Sequence, residues 1–428
     1  MREAIGNWVI EELSMPLDHT SPGLDALLIA TVLQMELSPR DNSVAEKRYK
    51  LIPSHLEREG SPLRLHVDNA LVYAQGSRAI GTTIVHGADE DRFDLDAILE
   101  FDTPFGWTPR RVLDELFEAF QGFPDVQEIE RCTRCIQLRF AFMHLDVTPM
   151  DPALKPRPER VGDIYHSPDE GHDERHKVNP YGFAEWFKGQ ISLPSQMFQA
   201  QVRSLRSQLE IKDRLQPGNI VADADIDELP ETVDPIQDAP QVLALKLMKR
   251  YLNLRYANRN EKRPISVYLS KVAAQIPPNS FGVCAQLEDL AAELDRQMKY
   301  ALETGLRPEE RNPAFPQENF NDRWPQNTRQ MEMFRGDLRH LFDELQRART
   351  SEVGQIQKIF DGLFGERISG NAVRTYMDSL SNFPQKSAYE LGKGFVATPA
   401  LLTPGPARAA ATSKAPAHNF HAGELRKK

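Results

Sequence analysis

Cysteine is scarce in this chain, with 3 residues in 428. Three thiols cannot build a disulfide framework, so a reducing compartment, the cytoplasm, is expected. Long apolar runs are also missing. The most apolar stretch, Ala26–Leu33, is eight residues, whereas a bilayer-spanning helix needs about 20. The opening segment MREAIGNWVIEEL lacks a basic region and a small-residue cleavage site, so no secretory signal is expected. Basic excess is absent as well. Lys and Arg total 52 against 62 Asp and Glu, a net charge of −10. That balance argues against a protein whose main task is gripping nucleic acid, although a local basic groove stays open. No repeat of 20–50 residues is found, which sets aside solenoids. What is there is an ordinary soluble composition, 40% hydrophobic and 27% charged, with length for two or three domains and a large core.

Periodicity divides the chain. A helical pattern starts near Leu24 and pauses at Ser38-Pro39-Arg40-Asp41, where Ser38 can cap a second helix and Pro39 suits its first turn. Val44, Ala45, Arg48, Leu51 and Ile52 follow at helical spacing, and Pro53 is expected to kink or end that helix. Leu71–Gln75 and Phe93–Phe101 read as strands, Thr108-Pro109 opens a helix, and Arg134–Val147 alternates like a strand. Residues 152–177 read as a long surface loop. Helical patterns occupy Gln196–Leu209, Pro240–Arg255, Ile265–Ile276, Leu287–Leu302, Arg329–Ala348 and Val353–Leu363. The acidic stretch around 215–239 reads as a flexible loop, and the Ala/Pro/Thr/Ser-rich tail from about 397 as disordered.

Three pieces carry chemistry. Gly76-Ser77 ends the first strand, Asp94-Leu95-Asp96 lies inside the second, and His144-Leu145-Asp146 sits near the end of a later one. Alternate residues of a strand share a face, so Asp94 and Asp96 point together. Like charges side by side are unfavourable without a cation, and hard carboxylate oxygens suit Mg²⁺ or Mn²⁺. Asp146 could add a third carboxylate, enough for two ions in a phosphoryl-transfer site. Gly76 would let the backbone approach phosphate oxygens, with the Ser77 hydroxyl as a donor. No Gly-Lys-Ser/Thr follows, so this is not a Walker A loop.

The strings QGSRAIGTTI, FDLDAILEF and RCIQLRFAFMHLDVTPM resemble the nucleotidyltransferases of the polymerase-beta superfamily, and more narrowly the bacterial cGAS/DncV-like nucleotidyltransferases (CD-NTases) of anti-phage CBASS operons. The segments Glu36–Pro39, Asn179–Phe187 and Asn312–Trp324 resemble further strings of that family. The resemblance implies an α+β protein. A catalytic lobe over residues 1–190 would hold a mixed sheet, flanking helices and a long amino-terminal helix. A mostly helical lobe over 191–395 would close a nucleotide cleft, followed by a tail over 396–428. It implies an enzyme that joins nucleoside triphosphates, ATP among them, into a cyclic di- or trinucleotide messenger with release of pyrophosphate. The catalytic and metal-holding residues would be Asp94, Asp96 and Asp146, with two Mg²⁺ or Mn²⁺ ions. The nucleotide would be held by Gly76 and Ser77 and, on matching helical strings, by Lys249 and Ser266. A monomer is expected, with a separate effector receiving the product. An operon-encoded ubiquitin-transferase-like partner is possible on the same ground, although the chain runs past Gly423 to Lys427-Lys428. Another template-independent nucleotidyltransferase, acting on RNA or protein, is the alternative, and a non-catalytic nucleotide-binding scaffold the third reading.

Other residues have plainer readings beside functional ones. Cys132 and Cys135 have CxxC spacing, but a tetrahedral zinc site needs four ligands, so strand residues are the default. His166, His172 and His176 read as a solvated loop. His144 is either a partner that orients the carboxylate or a packing residue. Asp223, Asp225, Asp227, Glu228 and Glu231 lack calcium-loop spacing and read as solvated.

Overall fold

The computed structural model describes residues 22–85, 92–153, 159–215, 235–381, 389–390 and 394–395. Helices α1 (Pro22–Leu33) and α2 (Pro39–Leu56) open it. The Ser38 side chain accepts from the Asp41 amide at 3.1 Å, the expected cap. Pro53 does not end α2. It lies inside the helix's final turn, and the Glu57 amide still bonds to the Pro53 carbonyl at 3.0 Å. With one turn remaining, the missing amide removes a single bond, and burial of Ile52 and Leu56 holds the turn in place.

The sheet follows. Strand β1 (Leu71–Gln75) runs into a short helical turn, α3 (Gly76–Ala79), then β2 (Phe93–Glu100). Helix α4 (Pro109–Phe120) is capped by Thr108 and buries Val112, Leu113, Leu116 and Phe120. Then come β3 (Glu128–Arg131), β4 (Ile136–Arg139), β5 (Met143–Pro152), β6 (Gly162–His166) and β7 (Glu174–Val178). The strand order is β1-β2-β5-β4-β3, with β6 also on β5 and β7 on β6. Only β2 and β5 run parallel; α4 and the β3–β4 hairpin form the crossover between them.

Two expectations are corrected here. Arg134–Val147 is not one strand but parts of two, β4 and β5, joined by a tight turn in which the Phe140 amide bonds to the Met143 carbonyl at 2.8 Å. Strand alternation continues through a hairpin, so the pattern hid the turn. Residues 152–177 contain the β6–β7 hairpin rather than only loop. Its outer strand is an edge rich in charge (Glu174, Arg175, Lys177), a composition that reads as solvent but also protects an edge strand.

The rest is helical. Helices α5 (Pro180–Gln190) and α6 (Gln196–Leu215) precede a 3₁₀ turn at Pro235–Asp238. Then come α7 (Pro240–Tyr256), α8 (Ser266–Gln275) and α9 (Val283–Thr304). A small hairpin of β8 (Arg311–Asn312) and β9 (Phe315–Asn319) leads to α10 (Thr328–Arg349), α11 (Val353–Phe364) and α12 (Glu366–Ser381). The last of these has no counterpart among the expected helices, although Ile368, Ala372 and Thr375 mark its buried face. Helix α7 is buried all round, Lys246, Lys249 and Arg250 included, rather than on one apolar face. It packs on α8, α9 and α11, while α1 packs on α6, α9 and α12. The protein is therefore α+β, a mixed sheet with flanking helices beside a helical bundle. The acidic run within 216–234 and the tail lie outside the described residues. Among those described, no helix is long and apolar enough to cross a membrane.

Candidate active site

The register of the sheet sets the site. Asp96 stands directly beside Asp146 across the parallel β2–β5 pair, and Asp94 stands beside His144. Phe93, Leu95 and Ala97 are buried on the other face, so alternation puts all three acids on the face opposite the apolar core. Gln75 lies opposite Asp96 on β1, so the chain enters the Gly76–Ala79 turn beside the acids. Gly76 has φ +56°, and a β-carbon there would collide with the Asp96 carboxylate. Glycine is thus required twice over, for the left-handed backbone and for the close approach. The turn is braced by the Thr82 amide bonding to the Ser77 carbonyl at 2.8 Å, and by Arg78 reaching Asn42 and Glu46 on α2.

Electrostatics follow from this crowding. Burial first, then the charges of Asp146 and Asp94, pushes the Asp96 carboxyl up to about 7, with Lys249 opposing. Burial likewise raises Asp146. Gln137, whose amide donates to Oδ1 at 2.8 Å, and the Cys135 thiol pull it back down. Tyr49 donates to the Asp96 carbonyl at 2.8 Å and so fixes the strand beneath the site.

The helical side supplies cations. Lys249, only 6% exposed, donates from Nζ to the Thr82 carbonyl at 2.8 Å. Its ammonium is held down to about 7, by burial first and then by the nearby Arg263, while Asp96 and Asp94 oppose. The Arg263 guanidinium is lowered by burial, with the Asp94 charge opposing. Ser266, at the first turn of α8, accepts from Arg263 at 3.4 Å. Among the described residues no three His, Cys, Asp or Glu side chains close into a ready-made cation cage. The acids instead share a face and a register. That donor set fits Mg²⁺ or Mn²⁺, which are held by one or two carboxylates and leave positions for water and substrate phosphates.

The family model for the Second Messenger Oligonucleotide or Dinucleotide Synthetase domain matches residues 28–190. The chain is 31% identical, over 94% of its own length and 94% of the relative's, to the cyclic dinucleotide synthase CdnG of Bradyrhizobium diazoefficiens. The solved structure of that organism's CD-NTase CdnG in complex with GTP aligns with a TM-score of 0.70 at 30% identity, covering 83% of this chain and 99% of that one. This chain belongs to the CD-NTase family. A c-di-GMP synthase of Roseivirga ehrenbergii is 24% identical over 69% of this chain and 72% of its own. As a CD-NTase the chain is an enzyme of the nucleotidyltransferase class.

Within this CD-NTase, the sheet brings Asp94, Asp96, Asp146 and Gly76 together, and α7 brings Lys249 to the same cleft. Ser77 contacts Thr83 through its hydroxyl at 3.3 Å, and the Ser266 hydroxyl accepts from Arg263 at 3.4 Å. Two family strings meet as well: Glu318 accepts from the Asn179 amide at 2.9 Å, and the Asn312 side-chain amide donates to the Asn179 carbonyl at 3.0 Å. His144 lies beside Asp94, Nδ1 to Oδ1 3.5 Å, rather than on Asp146. Cys132 and Cys135 are free thiols facing each other at the β3–β4 turn, with the Cys132 amide on the Cys135 carbonyl at 2.9 Å. The His166 and His176 rings meet edge to face across β6 and β7, with centroids 5.6 Å apart. Sequence reasoning missed Gln137, Thr82, Arg263 and Tyr49. Arg263 lies three residues before Ser266, which the sequence already singles out, and was legible there. Gln137 was not, because its place beside Asp146 depends on the hidden hairpin.

Proposed function

We propose that this enzyme condenses nucleoside triphosphates into a cyclic di- or trinucleotide, releasing pyrophosphate at each step. The observation that carries the reading is the register pair Asp96–Asp146, with Asp94 on the same face, opposite the Gly76 turn and Lys249. Family membership and the relatives' activities support it. Asp94, Asp96 and Asp146 would hold two Mg²⁺ or Mn²⁺ ions, whose chemistry when bound is to neutralise phosphate charge and acidify the attacking hydroxyl.

The chain's own residues have positioning roles. Gly76 admits the donor's phosphates to the backbone, where Ser77 and the turn's amides donate hydrogen bonds. Lys249 and Arg263 bring positive charge from the helical side, with Ser266 steadying Arg263. In this division residues up to about 190 carry the sheet and acids, and those from about 191 carry the cations. The acceptor's ribose hydroxyl attacks the donor α-phosphorus in line; the new P–O bond forms as the bond to pyrophosphate breaks. A further transfer closes the ring. No side-chain nucleophile is required, since positioning and charge neutralisation supply the catalysis. The substrates are cytoplasmic metabolites, which agrees with a cytoplasmic enzyme. The product would be a messenger read by a separate effector in the anti-phage setting that the family resemblance implies.

The test is incubation with the four ribonucleoside triphosphates and Mg²⁺ or Mn²⁺, then phosphatase treatment and mass spectrometry. Phosphatase-resistant cyclic products are expected. Incorporation only into added RNA or protein, with no cyclic product, overturns the reading.

A further inference from the structure

Asp146 is held differently from the other two acids. The sheet register lines up two neighbouring rows of side chains across its strands. One row runs Asp94, His144, Arg139, Glu128 over β2, β5, β4 and β3; the other runs Gln75, Asp96, Asp146, Gln137, Glu130 from β1 to β3. Because the rows are two residues apart on each strand, every member faces the cleft side of the sheet.

Hydrogen bonds join the rows into a directed chain. Gln137 Nε2 donates to Asp146 Oδ1 at 2.8 Å. Arg139 Nε donates to Gln137 Oε1, also at 2.8 Å. The Arg139 guanidinium is anchored in turn by Glu128 Oε2 at 2.9 Å and by the Glu130 carboxylate. The chemistry of the groups gives the chain its direction. Arginine can only donate and an ionised carboxylate can only accept, whereas a glutamine amide does either. With arginine on its oxygen side, the Gln137 amide must turn its NH₂ toward Asp146. Without arginine the amide loses the anchor on its oxygen side and can swing off Asp146 Oδ1. Together with the Cys135 thiol, a fixed donor on Oδ1 holds the carboxylate plane.

We propose that Arg139 is a positioning residue for nucleotidyl transfer, locking Gln137 so that Asp146 presents one oxygen to the cleft in a fixed orientation. The inference rests on the metal-site reading above and extends it to two residues that act through Asp146. Arg139 is one-third exposed and Glu128 and Glu130 more so. Ion pairs this wet contribute little to stability. The arrangement is therefore expected to matter for orientation and not for folding.

The experiment uses the full chain with Arg139→Met, Arg139→Lys, Gln137→Met and the Gln137→Met/Arg139→Met double variant. Three quantities are read: Mn²⁺ affinity by titration followed by electron paramagnetic resonance, kcat against KM for the triphosphate, and the thermal midpoint. Loss of a group that orients a ligand commonly weakens metal affinity or activity by about 10-fold or more. Arg139→Met is expected to bind Mn²⁺ and turn over about 10-fold less well, with KM and thermal midpoint near the parent's. Arg139→Lys, keeping one donor, should recover part of the loss. Because Arg139 acts through Gln137, the double variant should be no worse than Gln137→Met alone. Parent-like Mn²⁺ affinity in Arg139→Met, additive losses in the double variant, or a kcat loss that merely follows a lowered thermal midpoint would each overturn the proposal. The metal reading itself fails on a different result, unchanged Mn²⁺ binding in Asp94→Asn/Asp96→Asn.

Discussion

Replacing Lys249 with arginine keeps a cation in the cleft but removes one that titrates near neutrality. Arginine stays charged throughout the usable pH range, while burial holds Lys249 down to about 7. A triphosphate placed beside Lys249 favours the charged form, so binding above pH 7 must take up a proton. From a free-enzyme value of about 7, the protonated fraction falls roughly 25-fold between pH 7.5 and 9. That is about 1.9 kcal/mol of binding free energy, provided that the bound lysine stays charged. The triphosphate adds little slope of its own, since a phosphate's last ionisation lies near pH 6. Asp96 titrates close by and is coupled to Lys249, so the difference between the two proteins reads the pair, with the lysine's changing charge as its source. The assay is calorimetric titration with non-hydrolysable analogues of the four ribonucleoside triphosphates at fixed Mg²⁺, at pH 7.5, 8.25 and 9, read on whichever binds the parent. The parent's affinity should fall at least 10-fold more than that of Lys249→Arg. Stability without nucleotide should move the opposite way. An unfolded lysine keeps its proton to about 10.4 and the folded one only below about 7. The unfolded state therefore binds more protons across this range, and the parent should gain stability as pH rises from 7 to 9, relative to the arginine variant. Parallel affinity slopes for the two proteins would refute the reasoning and leave Lys249 as a structural pin for Thr82.

Other variants probe the acids and the turn. Asp94→Asn/Asp96→Asn should abolish pyrophosphate release in a coupled assay. Because folding raises the Asp96 carboxyl to about 7, the metal-free parent should lose stability as pH climbs from about 4 through 7. The double variant should escape that loss and melt later at pH 8 by about 1–2 kcal/mol, well under the roughly 4 kcal/mol ceiling for three pH units. Mn²⁺ at pH 8 should raise the parent's thermal midpoint and leave the variant's unmoved. Gly76→Ala places a β-carbon against the Asp96 carboxylate at a positive φ; a kcat loss of about 100-fold with about 1–2 kcal/mol of destabilisation is expected from steady-state kinetics and denaturant unfolding. Arg263→Met removes a cation facing Asp94 and Lys249 and should lower kcat/KM about 10-fold. Ser266→Ala, which removes the hydroxyl that accepts from that arginine, should cost about 2- to 3-fold in the same assay.

The legibility of the site in the sequence depended on how local each signal was. Asp94 and Asp96 were readable because strand alternation is a two-residue rule. Gly76 was readable as a strand-ending turn, although its collision with Asp96 is a fact of register that only the β1–β2 pairing supplies. That Asp146 adjoins Asp96 came from resemblance, since nothing in the spacing says that β5 pairs in parallel with β2 across α4 and a hairpin. The charge on β7 hid a strand, and the continuous alternation of β4 and β5 hid a turn, so Gln137 and Arg139 were lost together. In the helical part, periodicity found most helices but misjudged α7. Its periodicity shows one apolar face, but the helix is buried on every side, Lys246 and Lys249 included.

Charge balance explains why neither half of the protein suffices as a site. Three carboxylates on one sheet face are opposed by Lys249 and Arg263, leaving about one negative charge before a substrate arrives. A nucleoside triphosphate adds about four more, which protein cations at this distance cannot offset in a partly buried cleft. Two divalent ions would return the sum to about minus one, the value without substrate. On this count the acids are an excess of negative charge that only a metal–triphosphate complex resolves, and the lysine and arginine are too few to bind the nucleotide alone. Lys249 also ties the two halves mechanically. Its ammonium donates to the Thr82 carbonyl, and the Thr82 amide donates to the Ser77 carbonyl, so helix α7 grips the same turn that Gly76 opens toward the acids. Phosphates entering at that turn therefore meet a cation already connected to it, and any shift of α7 relative to the sheet moves the turn and the charge together.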